Sequence, residues 1–199
     1  MRTQLACGAE VSSTHSALLA PLAPLAPREP QDATGVEIRP ARMDDAERVR
    51  DFIAGLSPRT QMLRFFTGIG RPGDRLVRVL LSRDGGRDAL LAVRRTGDGE
   101  QVVGHAMSAP APGGGTAPLA GPRIEIAVVV ADEWQGRGIG GRLVRLLLAR
   151  AAARGAVEIA MDVHGENRRL LHALRRRWPQ ATMRAGFGTV EVRTPFAEW

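Results

Sequence analysis

No lysine and no tyrosine occur among the 199 residues of this chain, and there is one cysteine. Without lysine, no covalent chemistry can pass through a side-chain amine of the chain itself. Without tyrosine, no phenol can serve as a proton donor. Cys7 alone cannot close an internal disulfide, which predicts a cytoplasmic setting. No apolar run approaches the ~18 residues of a membrane helix, so no membrane partner is expected. The opening Met1 to Cys7 lacks the continuous apolar stretch of a secretory signal. Aromatics are few, three tryptophans and five phenylalanines. They are scattered, whereas a nucleic-acid binder would interleave stacking platforms with clustered basic residues.

All 28 basic residues are therefore arginine, against 21 acidic, for a net charge of +7; apolar residues make up 44%. Arginine, alanine, glycine and proline share GC-rich codons, which accounts for the bias without a functional cause. A globular composition at this length predicts one domain, or one domain plus a tail. Residues 1–35 read as the tail, because ALLAPLAPLAPREP (17–30) favours extended polyproline backbone and carries no strand or helix period. The domain is expected over 36–199.

Its first strand is predicted at Val36-Glu-Ile-Arg, followed by an amphipathic helix, DDAERVRDFIAGL, with Ala46, Val49, Ile53 and Leu56 on one face. Ser57-Pro58 caps a second helix running to Phe66. A third helix is predicted from Asp74 to Leu81. Strands follow at Ala89–Arg94 and Gln101–Ser108, then a proline- and glycine-rich loop, 109–122. The rest alternates: strand 124–130, helix 137–154, strand 157–163, helix 167–178, and two short strands near Met183 and at 189–193. This order predicts an α/β (α+β) sheet with a parallel pair at the central crossover.

The most informative stretch is IEIAVVVADEWQGRGIGG (124–141). Four glycines in six residues open a helix, more than capping requires. Without Cβ atoms they let backbone N–H groups approach an anion at the positive helix end. The helix places Gly140, Val144, Leu147, Leu148 and Ala151 toward the sheet, leaving Arg142, Arg145 and Arg150 for solvent. Gly136, Gly138 and Gly141 formally match the dinucleotide fingerprint GxGxxG, with Asp162 about 20 residues on. The five residues between strand and first glycine are too many for that turn, and too little chain follows for the remaining strands.

The stretch Gln135-Gly-Arg-Gly138-Ile-Gly140 instead resembles the [Arg/Gln]-x-x-Gly-x-[Gly/Ala] motif of the GNAT superfamily of N-acetyltransferases. The preceding strand, the strand VEIAMDV and Asn167-Arg-Arg-Leu-Leu fit the same pattern, and the resemblance covers 36–199. The segment IRPARMDDAERVRDFIAGLSPRTQMLRFF is similar to the start of GNAT domains in bacterial protein lysine acetyltransferases. This resemblance implies a GNAT-like mixed, mostly antiparallel sheet whose one parallel pair carries the acetyl-CoA site. It implies that the backbone of Val128, Val129 and Val130 pairs with the pantetheine arm. The pyrophosphate would rest on Gln135, Gly136, Arg137, Gly138, Ile139, Gly140 and Gly141.

Asn167 resembles the family's cofactor-contacting asparagine, and a helix cap is its other reading. Glu125, a carboxylate inside an apolar run where desolvation would raise its pKa, is the expected general base. An outward salt bridge is the alternative. The family often protonates the leaving thiolate with a tyrosine; here that position falls near Leu174, leaving water, His164 or His172. The implied activity is acetyl transfer from acetyl-CoA to a primary amine by direct attack. The acceptor is a protein lysine or a small-molecule amine. A non-catalytic acyl-CoA-binding module is the other class.

Overall fold

A computed structural model describes residues 35–97, 99–111 and 121–196. Contacts divide the chain between Asp32 and Ala33, and everything described lies in the second unit. The expected arm, 1–35, falls outside the described residues except for Gly35, as does most of the expected loop 109–122.

Alternating and continuous apolar runs form seven strands: β1 (Val36–Pro40), β2 (Asp88–Thr96), β3 (Gly99–Pro110), β4 (Arg123–Val130), β5 (Glu158–His164), β6 (Thr182–Gly186) and β7 (Thr189–Pro195). Five helices intervene: α1 (Ala46–Ala54), α2 (Pro58–Phe65), α3 (Asp74–Leu81), α4 (Ile139–Ala152) and α5 (Arg168–Arg177). The single sheet runs β1-β2-β3-β4-β5-β7-β6. Every neighbouring pair is antiparallel except β4–β5. The predicted mixed sheet with one parallel pair is the observed fold.

β3 is longer than its sequence pattern suggests and takes in Ala109 and Pro110, so the loop after it is shorter. α4 starts two residues later than predicted, because Gly136 and Gly138 hold left-handed backbone, φ +77° and +81°, and prolong the turn. α4 then buries Ile139, Leu143, Leu147, Leu148 and Ala151 against β2, β3 and β4. Gly104 makes that packing possible: a Cβ there would sit 3.1 Å from Leu143 and 3.3 Å from Ala92. Arg150, expected in solvent, instead donates to buried Asp88 at 2.6 Å, with Arg154 adding 2.8 Å. Burial works against the Asp88 charge, but these two guanidinium partners outweigh it and hold the carboxyl below the usual range.

On the opposite face of the sheet, α1 buries Val49, Phe52 and Ile53. Beneath α3, the His105 ring on β3 is 2% exposed and its Nε2 lies 2.8 Å from the Leu80 carbonyl. Burial, joined by the positive charge of Arg64, pushes its pKa down to about 4, so the ring is neutral near pH 7. The unfolded chain titrates this histidine near ~6.5. Stability from the neutral ring is complete above that value and is lost as pH falls toward 4, where the unfolded chain binds a proton the native one refuses. Urea unfolding at pH 7, 5.5 and 4 should show a loss of ~3 kcal/mol that is absent from His105→Gln. Equal losses in the two proteins would remove His105 as the cause.

Candidate active site

β4 and β5 begin side by side and then part. β4 pairs with β3 along its whole length, but with β5 only where Arg123, Ile124 and Glu125 meet Glu158, Ile159 and Ala160. Past Glu125 the β5-facing edge of β4 is open. Strand alternation decides which groups line it. The Ala131 N–H donates to Val103 on β3, and the N–H of Ala111, the residue after β3, donates to Arg123 O. Odd-numbered residues of β4 therefore turn their backbone to β3, and even-numbered ones turn it to the gap. The last rung of the parallel ladder, Glu125 beside Ala160, engages the Ile126 N–H, so the Ile126 C=O and both backbone groups of Val128 are what the open edge presents. Of the three valines expected at this edge, Val128 and Val130 face it with their backbone, while Val129 is committed to the β3 ladder.

The glycine turn closes the mouth of the gap. The first helical bond of α4 runs from Arg142 N–H to Gly138 O. The N–H groups of Ile139, Gly140 and Gly141 are thus left without intrahelical partners. A Cβ at Gly138 would meet nothing within 4 Å, and one at Gly140 would make only ordinary contact with Val130 at 3.6 Å. The protein does not fill the space above these glycines, which fits an approaching anion.

The side chains around the turn take distinct roles. Gln135 reaches back to Val130 O at 3.1 Å and Thr60 Oγ1 at 3.4 Å, so it fixes the turn and occupies the Val130 carbonyl. The Arg137 guanidinium stacks over Trp134 at 4.8 Å. Arg169, which sequence reasoning missed, places Nη2 3.8 Å from where a Gly136 Cβ would stand. Asn167 caps α5, its side chain accepting from Leu170 N–H at 3.2 Å, and it also lines the cavity. Its amide NH2 and the second lone pair of its oxygen remain for a ligand.

Asp132 ties the turn to α2. It accepts from Ser57 N–H at 3.0 Å, Ser57 Oγ at 2.7 Å and Thr60 Oγ1 at 2.7 Å. Burial acts against its charge, but these donors together hold the carboxyl below the usual range. Asp132→Ala strands three donors and frees Thr60 from the turn. A stability loss of about 1–3 kcal/mol is expected, with a several-fold weaker affinity for an anionic ligand at the turn. Calorimetry would show the network to be a fold staple alone if affinity did not change.

The gap opens into a cavity of about 440 Å³, lined by β4 from Glu125 to Val130, the glycine turn, Asp162 of β5, and Leu174 and Trp178 at the end of α5. Glu125 sits where the strands part, half-buried. Its side chain rises on the face that α2 covers, since α2 packs on β4 and β5. Desolvation raises its pKa, Asp162 raises it further, and Arg64 opposes both. Asp162 stands two residues past Ala160, the partner of Glu125, and so shares its face; sequence reading had met Asp162 only in the rejected dinucleotide motif. Leu174 is buried in the cavity wall, where it offers no proton. His172 is exposed on α5 and lies outside the cavity lining. His164 stacks on Phe66 with centroids 6.1 Å apart and accepts from Glu166 N–H at 3.3 Å.

An open strand edge running from a turn of unpaired helical N–H groups to a desolvated carboxylate suits a transferase that lays an extended acyl carrier along the sheet. Residues 64–177 match the sequence profile of the Acetyltransferase (GNAT) family, and the chain belongs to that family. An acetyltransferase of Pseudomonas aeruginosa is 34% identical over 145 residues, which span 72% of this chain and 74% of that protein. The GNAT domain of S. lividans PAT superposes with a TM-score of 0.66 at 27% identity, over 80% of this chain and 90% of that one. A GNAT superfamily phosphinothricin acetyltransferase from Sinorhizobium meliloti, in complex with AcCoA, superposes at 0.60 with 17% identity, over 81% and 88%. No described helix is long and apolar enough to cross a membrane.

Proposed function

We propose that this enzyme transfers an acetyl group from acetyl-CoA to a primary amine by direct attack, with Glu125 as general base. The observation that carries the reading is the desolvated Glu125 at the fork where β4 leaves β5, facing the same cavity as the glycine turn. The open edge from the Ile126 C=O to Val128 offers a ladder to the amide groups of an extended pantetheine arm. The N–H groups of Ile139, Gly140 and Gly141, with Arg169 beside them, suit the pyrophosphate.

When bound, acetyl-CoA supplies the thioester carbonyl that the amine attacks. An alkyl ammonium of pKa ~10.4 is neutral in only about one part in 10³ at pH 7, so its proton must be taken. Glu125, with its pKa raised toward working pH, accepts that proton and passes it to solvent. The Val128 N–H, turned into the gap, donates to the carbonyl oxygen as charge develops there. The C–N bond forms, the C–S bond breaks, and the second proton passes from the nitrogen to water, which relays a proton to the departing thiolate. With Leu174 where a tyrosine acid would stand, the thiolate is protonated by water, which a thiol of pKa ~8.5 tolerates.

Both acceptor classes, a protein lysine and a small-molecule amine, fit an open cleft with two carboxylates. The catalytic domain is read as 36–199, the segment 1–35 as an appended arm, and the setting as cytoplasmic. Calorimetry with acetyl-CoA, followed by amine-dependent release of CoA thiol, tests the reading. Micromolar binding with acceptor-dependent release is expected. Binding without release by any amine would reduce the protein to an acyl-CoA-binding module.

A further inference from the structure

Arg64 is the unexplained charge of the cleft. It belongs to the last turn of α2 and lines the same cavity as Glu125 and Asp162. Its Nε is sealed from solvent without a hydrogen-bond partner. No described residue accepts a hydrogen bond from its guanidinium or pairs with it as a salt bridge; the guanidinium lies over the face of the Phe65 ring, 4.7 Å from its centroid. The residue as a whole is partly buried; desolvation of its head group pulls its pKa down to about 10, and Glu125 only partly restores it. The side chain still carries its charge at neutral pH.

Other arginines of the fold show what a satisfied guanidinium looks like here. Arg39 holds Asp45 at 2.8 and 2.7 Å and Glu100 at 2.6 Å, and Arg150 and Arg154 converge on Asp88. A desolvated cation lacking such a partner is costly unless a ligand completes it. The group that matches a guanidinium fork is a carboxylate.

Resting on the acetyltransferase reading, we propose that Arg64 binds a carboxylate that a reactant carries into the cleft, and that this reactant is the acceptor, an amino-acid-like small molecule. Glu125, Asp162 and Arg64 in a single cavity complement a zwitterion, ammonium toward the two carboxylates and carboxylate toward Arg64, while the cavity's other guanidinium, Arg169, stands at the glycine turn. The place of Arg64 in the cavity wall, with Nε turned away from solvent, is what selects a small molecule. A protein lysine sends only methylenes and an ammonium into such a cavity, and its nearest acid stays on another residue outside. The α2 side of Glu125, away from the glycine turn, is also where an attacking amine must enter.

The test measures kcat/KM by CoA release with acetyl-CoA and a panel of α- and ω-amino acids, each beside its own carboxamide, plus a lysine peptide blocked at both ends. Wild type is expected to prefer carboxylates over carboxamides by about 10–100-fold, the worth of a hydrogen-bonded charge. Arg64→Gln should bring that preference below about twofold at unchanged acetyl-CoA affinity, and Arg64→Lys should keep part of it. Gln removes a charge that no described residue pairs, so the variant is expected to melt at or above wild type, and the wild-type comparison needs no variant. Carboxamides or the blocked peptide turned over as well as carboxylates would overturn the proposal while leaving the transferase intact. So would a preference that survives Arg64→Gln. A second arm pairs succinyl-CoA with uncharged-tail amines: Arg64-dependent preference for succinyl- over acetyl-CoA would move the carboxylate to the acyl chain and overturn the acceptor assignment. No release by any acceptor above the Glu125→Gln background, with acetyl-CoA bound, would instead remove the transferase reading.

Discussion

Glu125→Gln should lower kcat by about 10²–10⁴-fold, the range a positioned general base contributes, while acetyl-CoA affinity stays within about twofold. The separation follows from the site's layout. In the proposed site the groups offered to the carrier are backbone atoms of β4 and of the first turn of α4, and none depends on the charge of residue 125. The residual rate should climb about tenfold per pH unit below the amine's own pKa, because solvent must then do the deprotonation. A parallel fall in affinity and rate would mean that Glu125 shapes the cleft and does not move the proton.

The neighbours of Glu125 add a directional check. Burial and the negative charge of Asp162 raise its pKa, and Arg64 lowers it. The acid limb of kcat should therefore lie above the ordinary carboxylate range. Asp162→Asn should move it down by removing a like charge, and Arg64→Gln should move it up by removing a cation. The stability sign is opposite to that of activity. A carboxyl whose folded pKa is raised costs stability at every pH where it must be ionised in the native state. Glu125→Gln should thus melt higher than wild type at pH 7, as expected where function holds an uncomfortable charge in place.

How much of this was readable in the residues depends on where the partners lie in the chain. The strand–turn–helix at 124–152 was legible because its signals are local: a β-branched run, four clustered glycines, then a 3.6-residue apolar period. Glu125 stood out for the same reason, as a charge inside IEIAVVV. Arg64 did not, because it looks like any surface arginine until α2 is laid across β4 some 60 residues later in sequence. Asp162 enters the site only through the parallel register that sets Ala160 beside Glu125. Arg169 reaches the turn because α5 starts next to it. Arg150 has solvent periodicity on α4, yet it meets Asp88 on a strand that no helical pattern encodes. Val129 was indistinguishable from Val128 by composition, and only the alternation of the β3–β4 ladder separates them.

Gly138→Trp should abolish acetyl-CoA binding in a protein that still folds. The backbone there is left-handed, φ +81°, so any side chain pays roughly 1–2 kcal/mol of conformational strain. That is a fraction of the 5–15 kcal/mol that holds a domain together. No protein atom lies within 4 Å of the new Cβ, so the indole projects into the space above the unpaired N–H groups of α4, where the pyrophosphate must sit. Micromolar affinity, about −8 kcal/mol, cannot survive filling that space. Gly140→Ala is the matched control. Its backbone is helical, the added methyl meets Val130 at 3.6 Å, and helix propensity favours alanine by ~1 kcal/mol. That variant should melt at or above the wild-type temperature and keep acetyl-CoA affinity to within several-fold. If Gly138→Trp melts cooperatively and still binds at wild-type strength, the carrier does not lie on the glycine turn. The free edge of β4 would then need a different occupant, because the direction from turn to Glu125 is what aligns a thioester with the base.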